Sequence, residues 1–97
     1  MFNALAVVVN AGGSVTIIDV QQRRVLRTIA VGSLPQSAVV VGPSSSPVAY
    51  VANNGSGSLS VVDLNAFRVV RSVFVGGRPR GVTAVGAPGS ERVLATN

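Results

Sequence analysis

Residues 14–42 read SVTIIDVQQRRVLRTIAVGSLPQSAVVVG, and residues 58–86 read SLSVVDLNAFRVVRSVFVGGRPRGVTAVG. Laid over one another without a gap, the two stretches share ten identities in 29 positions. Asp19 falls on Asp63, Val31-Gly32 on Val75-Gly76 and Pro35 on Pro79, each 44 residues further on. Most other pairs are conservative, among them Ile17/Val61, Ile18/Val62, Thr28/Ser72 and Ile29/Val73. A fixed period of about 40–50 residues built from short strands is the signature of propeller blades. Such units bury their faces only against neighbouring units. A chain with about two repeats is therefore not expected to close a ring alone.

Composition agrees with an all-β chain. Apolar residues make up 47% of the 97 residues and aromatics only 4%. The apolar content is rich in Val, whose branched Cβ suits a packed sheet surface. Eleven Gly and five Pro punctuate the chain at short intervals.

Working outward, the turn signals mark strands at Ala4–Asn10, Ser14–Val20, Arg24–Val31 and Ser37–Gly42. The cycle restarts with Val48–Asn53, Leu59–Leu64, Arg68–Val75 and Gly81–Gly86, and Glu91–Asn97 opens a third. The organisation expected is one propeller segment over 1–97, with repeat 1 at about 4–47, repeat 2 at about 48–90 and a third begun at 91–97. Val15-Thr16-Ile17-Ile18 and Ala38-Val39-Val40-Val41 read as strands buried on both faces. The strands opening at Arg24 and Arg68 alternate more, as the outermost strand of a blade should. Arg on such an edge also discourages edge-to-edge aggregation. Met1–Ala11 has the apolar run of a weak signal peptide but no basic n-region. Val8-Val9-Asn10 matches Val51-Ala52-Asn53, so it reads as a strand.

The second repeat runs Tyr50-Val51-Ala52-Asn53, then a Gly/Ser-rich turn, then a strand ending in Val62-Asp63. A strand ending in Val75-Gly76 and a turn containing Pro79 follow. This pattern resembles the YVTN family of β-propeller repeats. The family's Thr is Ala52 here, while Ala95-Thr96-Asn97 carries it. The resemblance covers nearly the whole chain. It implies four-stranded antiparallel blades: three strands of a first, a complete second and two strands of a third. Ring closure then comes either by oligomerisation or because the chain is a fragment of a larger propeller. Three copies would make six blades and four would make eight, within the ~4–8 of known propellers. The YVTN-type strand at both ends leaves one copy redundant on closure. The resemblance also favours an extracytoplasmic setting, in the periplasm or at the cell surface.

There is no Cys, no His and no Lys. Disulfides, thiolate chemistry, the commonest general base and the usual metal ligand are thereby removed. No catalytic set, metal site or cofactor is expected. The chain is not expected to act as an enzyme. Net charge is +5, carried by eight Arg scattered without a run. Nucleic-acid binding needs basic residues interleaved with exposed aromatics, so no nucleic-acid partner is expected. No apolar stretch reaches the ~18–20 residues needed to span a bilayer.

Asp19 and Asp63 end equivalent strands and read as caps of their own turns. Asn10, Asn53 and Asn97 recur beside Gly-rich sequence and read as turn residues accepting positive φ. Tyr50 and Phe74 read as core aromatics between blades. The connector Gly76-Gly77-Arg78-Pro79-Arg80-Gly81 answers Gly32-Ser33-Leu34-Pro35-Gln36-Ser37. Arg78 and Arg80 alter the repeat where its frame is kept, and bidentate contacts would suit a carboxylate or phosphate. With Gln36, Asn53 and Asn54 they form the candidate ligand-binding set. The partners expected are further blades, from copies of the chain or from a parent protein, and a protein or small anionic ligand on the loop face. Three functions fit: an interaction scaffold, a lectin-like or anion-binding oligomer, and a fragment of an exported propeller oxidoreductase.

Overall fold

The computed structural model describes residues 5–42, 45–85 and 92–96. Among these lie nine strands: β1 (Leu5–Asn10), β2 (Ser14–Asp19), β3 (Arg24–Ala30), β4 (Pro35–Val41), β5 (Val48–Asn53), β6 (Ser58–Asp63), β7 (Arg68–Phe74), β8 (Gly81–Val85) and β9 (Arg92–Thr96). They form three antiparallel sheets in the orders β1-β2-β3, β4-β5-β6-β7 and β8-β9. The expected bounds at Ala4, Gly86, Glu91 and Asn97 lie outside the described residues. The innermost strand of the second sheet starts at Pro35, two residues before the expected Ser37. Proline lacks an N–H and is accepted as the first residue of a strand.

The duplication read from the sequence is carried in the backbone. Asn10 pairs with Ser14 at the β1–β2 turn, and Asn53 pairs with Ser58 at the β5–β6 turn. A register shift falls between Ile17 and Ile18 against β3, and another between Val61 and Val62 against β7. Each is a bulge that leaves one extra residue, Leu26 or Val70, on the outermost strand. The turns that follow β2 and β6 both end in a left-handed residue, Arg23 at φ 57° and Phe67 at φ 56°.

The core is a seam between the first two sheets. Val15 and Ile17 of β2 are fully buried there against Ala49, Val51 and Val62 of the second sheet. Leu5, Val7, Val9 and Ile29 complete the first sheet's side. Alternation in β2 puts Val15, Ile17 and Asp19 on this buried face. The opposite residues Thr16 and Ile18 are only half-buried, and Val40 in β4 is exposed. Two-sided burial was expected for both strands. In β2 it fails because, among the described residues, a sheet packs on only one of its faces.

Candidate functional site

Asn53 is buried with no exposed surface. Its Nδ2 donates across the turn to Ser58 Oγ at 3.2 Å and Ser60 Oγ at 2.9 Å. Asn10 repeats the device, donating to Ser14 Oγ at 3.0 Å and Thr16 Oγ1 at 2.9 Å. The turns' positive φ values fall on Gly13 and Gly57 instead of on the asparagines, which end their strands. The sequence reading of Asn10 and Asn53 as positive-φ turn residues is therefore corrected: the side chain, not the backbone freedom, is what is used. Asn53 Oδ1 has no hydrogen-bond partner among the described residues.

These turns and the blade-to-blade connectors form one loop face. Val31 N donates to Gly13 O, Asn54 N to Leu34 O and Gly55 N to Ser33 O, each at 2.9 Å. Val75 N donates to Gly57 O at 2.9 Å, repeating the Val31 contact one blade on. Ser33 N donates to Ser56 Oγ at 2.7 Å. Asn54 is buried, and its Nδ2 reaches Pro79 O at 3.4 Å. Asn54 therefore ties the 32–35 connector, through its backbone, to the 76–80 connector, through its side chain.

The five candidate residues separate into two groups. Asn53 and Asn54 are buried in this framework. Gln36, Arg78 and Arg80 are exposed. Gln36 is the extra residue of a register shift between Pro35 and Ser37, which turns it out of the sheet. Arg80 occupies the equivalent position after the buried Pro79, and its N–H donates to Thr96 O at 2.7 Å. Arg78 stands where the first connector has Leu34, whose φ is 52°. The second connector makes its turn at Gly76 (φ 79°) and Gly77 (φ 60°) instead. Two arginines thus sit on a connector whose backbone is braced on both sides.

Beside the connectors a cleft of about 340 Å³ opens between the first two sheets, lined by Gly32, Ser56, Ser58, Ser60, Val69 and Ser72, among others. Phe74 lies two residues beyond Ser72 on β7, on the same face by alternation. It is 79% exposed, so it is not the interblade core residue its apolar strand suggested. It ends the outermost strand and leans over the Gly57 turn, where a Cβ on Gly57 would meet its ring at 3.3 Å. Tyr50 is half-buried.

Asp63 Oδ1 accepts from Asn65 N at 2.8 Å and Ala66 N at 3.0 Å. The Ala66 and Asn65 amides hold its pKa below the usual carboxylate value, with Arg68 acting in the same direction and desolvation opposing. Asp19 accepts from Gln22 N at 3.0 Å. Both carboxylates serve the turns that follow them. Among the described residues no group of His, Cys, Asp or Glu could hold a metal ion. Among the described residues no helix is long and apolar enough to cross a membrane.

No protein-family model matches the chain, and no curated protein matches it. Among solved structures, Kuenenia stuttgartiensis hydrazine synthase is similar, with a TM-score of 0.74 and 32% identity over 80% of this chain. The chain spans only 22% of the length of that chain. That protein contains a β-propeller. The repeated register, the strand order and this likeness together make the chain an all-β run of β-propeller blades.

Proposed function

We propose that the chain is a non-catalytic β-propeller scaffold that works with further blades and presents its loop face to an acidic partner. Its repeats are of the YVTN type in this reading, and its setting is extracytoplasmic. The observation that carries the reading is the exposure of Arg78 and Arg80 on a connector braced by Asn54 and Gly57. A rigid frame presenting guanidinium groups suits carboxylate or phosphate recognition at low ordering cost. The test is titration with an acidic peptide and with inorganic phosphate. Binding should weaken with salt and be lost in R78A/R80A, while the thermal midpoint stays unchanged. Equal binding by the double variant would refute the assignment.

A second reading, a lectin-like site, is favoured by one observation. Exposed Phe74 stands beside a serine-lined cleft, and an aromatic face with hydroxyl partners suits a sugar. Monosaccharide binding that disappears in F74A would favour it over the anion site. A third reading makes the chain part of a propeller oxidoreductase, following the name of the similar structure. Without His, Cys or Lys the chain's own part there would be to support and position other residues.

A further inference from the structure

Two departures from the 44-residue repeat meet at one cleft. The mate of Phe74 is Ala30, so the first sheet does without a ring at this place. Asn53 and Ser58 stand five residues apart where Asn10 and Ser14 stand four apart, so the second turn is one residue longer. That longer turn carries Ser56. Features common to both blades, such as the asparagine clamps, serve the fold. Features confined to one blade are not needed to build a blade.

Both departures face the cleft of about 340 Å³ between the first two sheets, and both of its walls are supplied by this chain. Ser56 lines it. Phe74 is the cross-strand partner of Ser58, which also lines it, so ring and hydroxyl rise from the same face. Ser72 is the partner of Ser60 in the same way.

The chemistry of the cleft is one-sided. Ser58 and Ser60 are 8% and 3% exposed, and each Oγ accepts from Asn53 Nδ2. Ser56 Oγ accepts from Ser33 N. Three hydroxyls thus have an N–H aimed at their oxygen, and none has an acceptor for its own proton among the described residues. Buried polar groups are seldom left unmatched. An N–H donated to a hydroxyl oxygen also makes that hydroxyl a better donor. The polar part of the cleft therefore offers protons. Ala30, Val31 and Val69 make the rest of the wall apolar. Among the described residues no charged side chain lines it, so a carboxylate or phosphate would enter without a countercharge. The volume is at the small end of ligand pockets, about 300–1,000 Å³. A small neutral ligand with an exposed acceptor, an apolar group and a flat apolar face meets all of these conditions.

We propose that the cleft binds the acetamido group of an N-acetylated sugar. The carbonyl oxygen accepts from the hydroxyls of the Ser60–Ser72 pair, the methyl packs on Val31 and Val69, and the sugar ring stacks on Phe74. This rests on the sugar-binding reading of the cleft and adds to it the class of sugar.

The experiment is calorimetric and ligand-observed NMR titration with N-acetylglucosamine, glucose and glucosamine, repeated on S72A and F74A. Both substituted side chains are exposed, so thermal midpoints should stay at the wild-type value. We expect N-acetylglucosamine to bind about tenfold more tightly than glucose. Glucosamine, whose ammonium brings a charge and no acceptor, should bind more weakly still. S72A should reduce the preference for the acetylated sugar about threefold and leave glucose binding unchanged. F74A should abolish binding of both. Equal affinity for N-acetylglucosamine and glucose, with both lost in F74A, would overturn the acetamido assignment and leave the sugar reading standing. N-acetylglucosamine binding that either variant leaves unchanged would place the contact elsewhere and overturn the inference. Binding of none of the three would overturn the sugar reading and the inference with it.

Discussion

Gly32 lies so close to the Asn53 side chain that a Cβ on the glycine would come within 2.7 Å of the amide carbon. The connector between two blades is seated directly on the polar clamp of the second. We expect Gly32→Ala to destabilise by about 1–3 kcal/mol through overpacking. The mate Gly76 has open space, with Phe74 4.0 Å away, but a φ of 79°. Gly76→Ala should cost about 1–2 kcal/mol through backbone strain. Urea midpoints check both, and Gly32→Ser should rank with Gly32→Ala because size decides there.

The two asparagine clamps should differ in strength. Both make two hydroxyl bonds, but Asn53 is fully buried and Asn10 only half-buried. Asn53→Ala should cost about 1–3 kcal/mol because buried hydroxyls lose their partner. Asn10→Ala should cost less, since water replaces the lost bonds. Equal losses in chemical denaturation would mean that burial is not what sets the clamp's worth.

Asp63 gives a pH dependence of fixed sign. Its folded pKa is lowered by the Ala66 and Asn65 amides. The stabilisation is therefore fully present above the unfolded carboxylate value and lost as pH falls through the lowered folded value. Asp63→Asn should be less stable than wild type at neutral pH, and the gap should shrink in acid. Thermal midpoints from pH 7 downwards measure it, and a gap that widens in acid contradicts the assignment.

Arg27 and Phe67 should couple across the internal seam. At 5.7 Å the guanidinium is within cation–π range of the ring. A double-mutant cycle with Arg27→Met and Phe67→Leu should return about 0.5–1 kcal/mol. A coupling near zero would show that Phe67 acts only through apolar burial.

Most of the architecture was legible because the 44-residue repeat pins each turn twice. Asp19 and Asp63 marked strand ends by turn chemistry, and the structure ends β2 and β6 at those residues. Other features had no sequence signal. Nothing in Arg23 or Phe67 announces a left-handed residue, since neither type favours it and the hairpin imposes it. The asparagines were legible as turn neighbours but not as clamps, because the hydroxyls they hold are brought opposite only by strand pairing. Phe74 misled for a related reason. Its strand is apolar, but it is the outermost one, and among the described residues no neighbour covers its end. Of the candidate site, the connector with Arg78 and Arg80 stood out through its departure from the repeat. The bracing by Asn54 through Pro79 O required the fold.

The paired bulges at Ile17/Ile18 and Val61/Val62 make the outermost strand of each blade read in two phases. On one side of the extra residue, inward-facing positions are odd; on the other they are even. Leu26 and Val70 thus act as punctuation. Removing either one would leave composition almost unchanged, yet would turn every residue on one half of its strand to the opposite face. At these two positions the chain should tolerate exchange of side chains far better than a change of length by one.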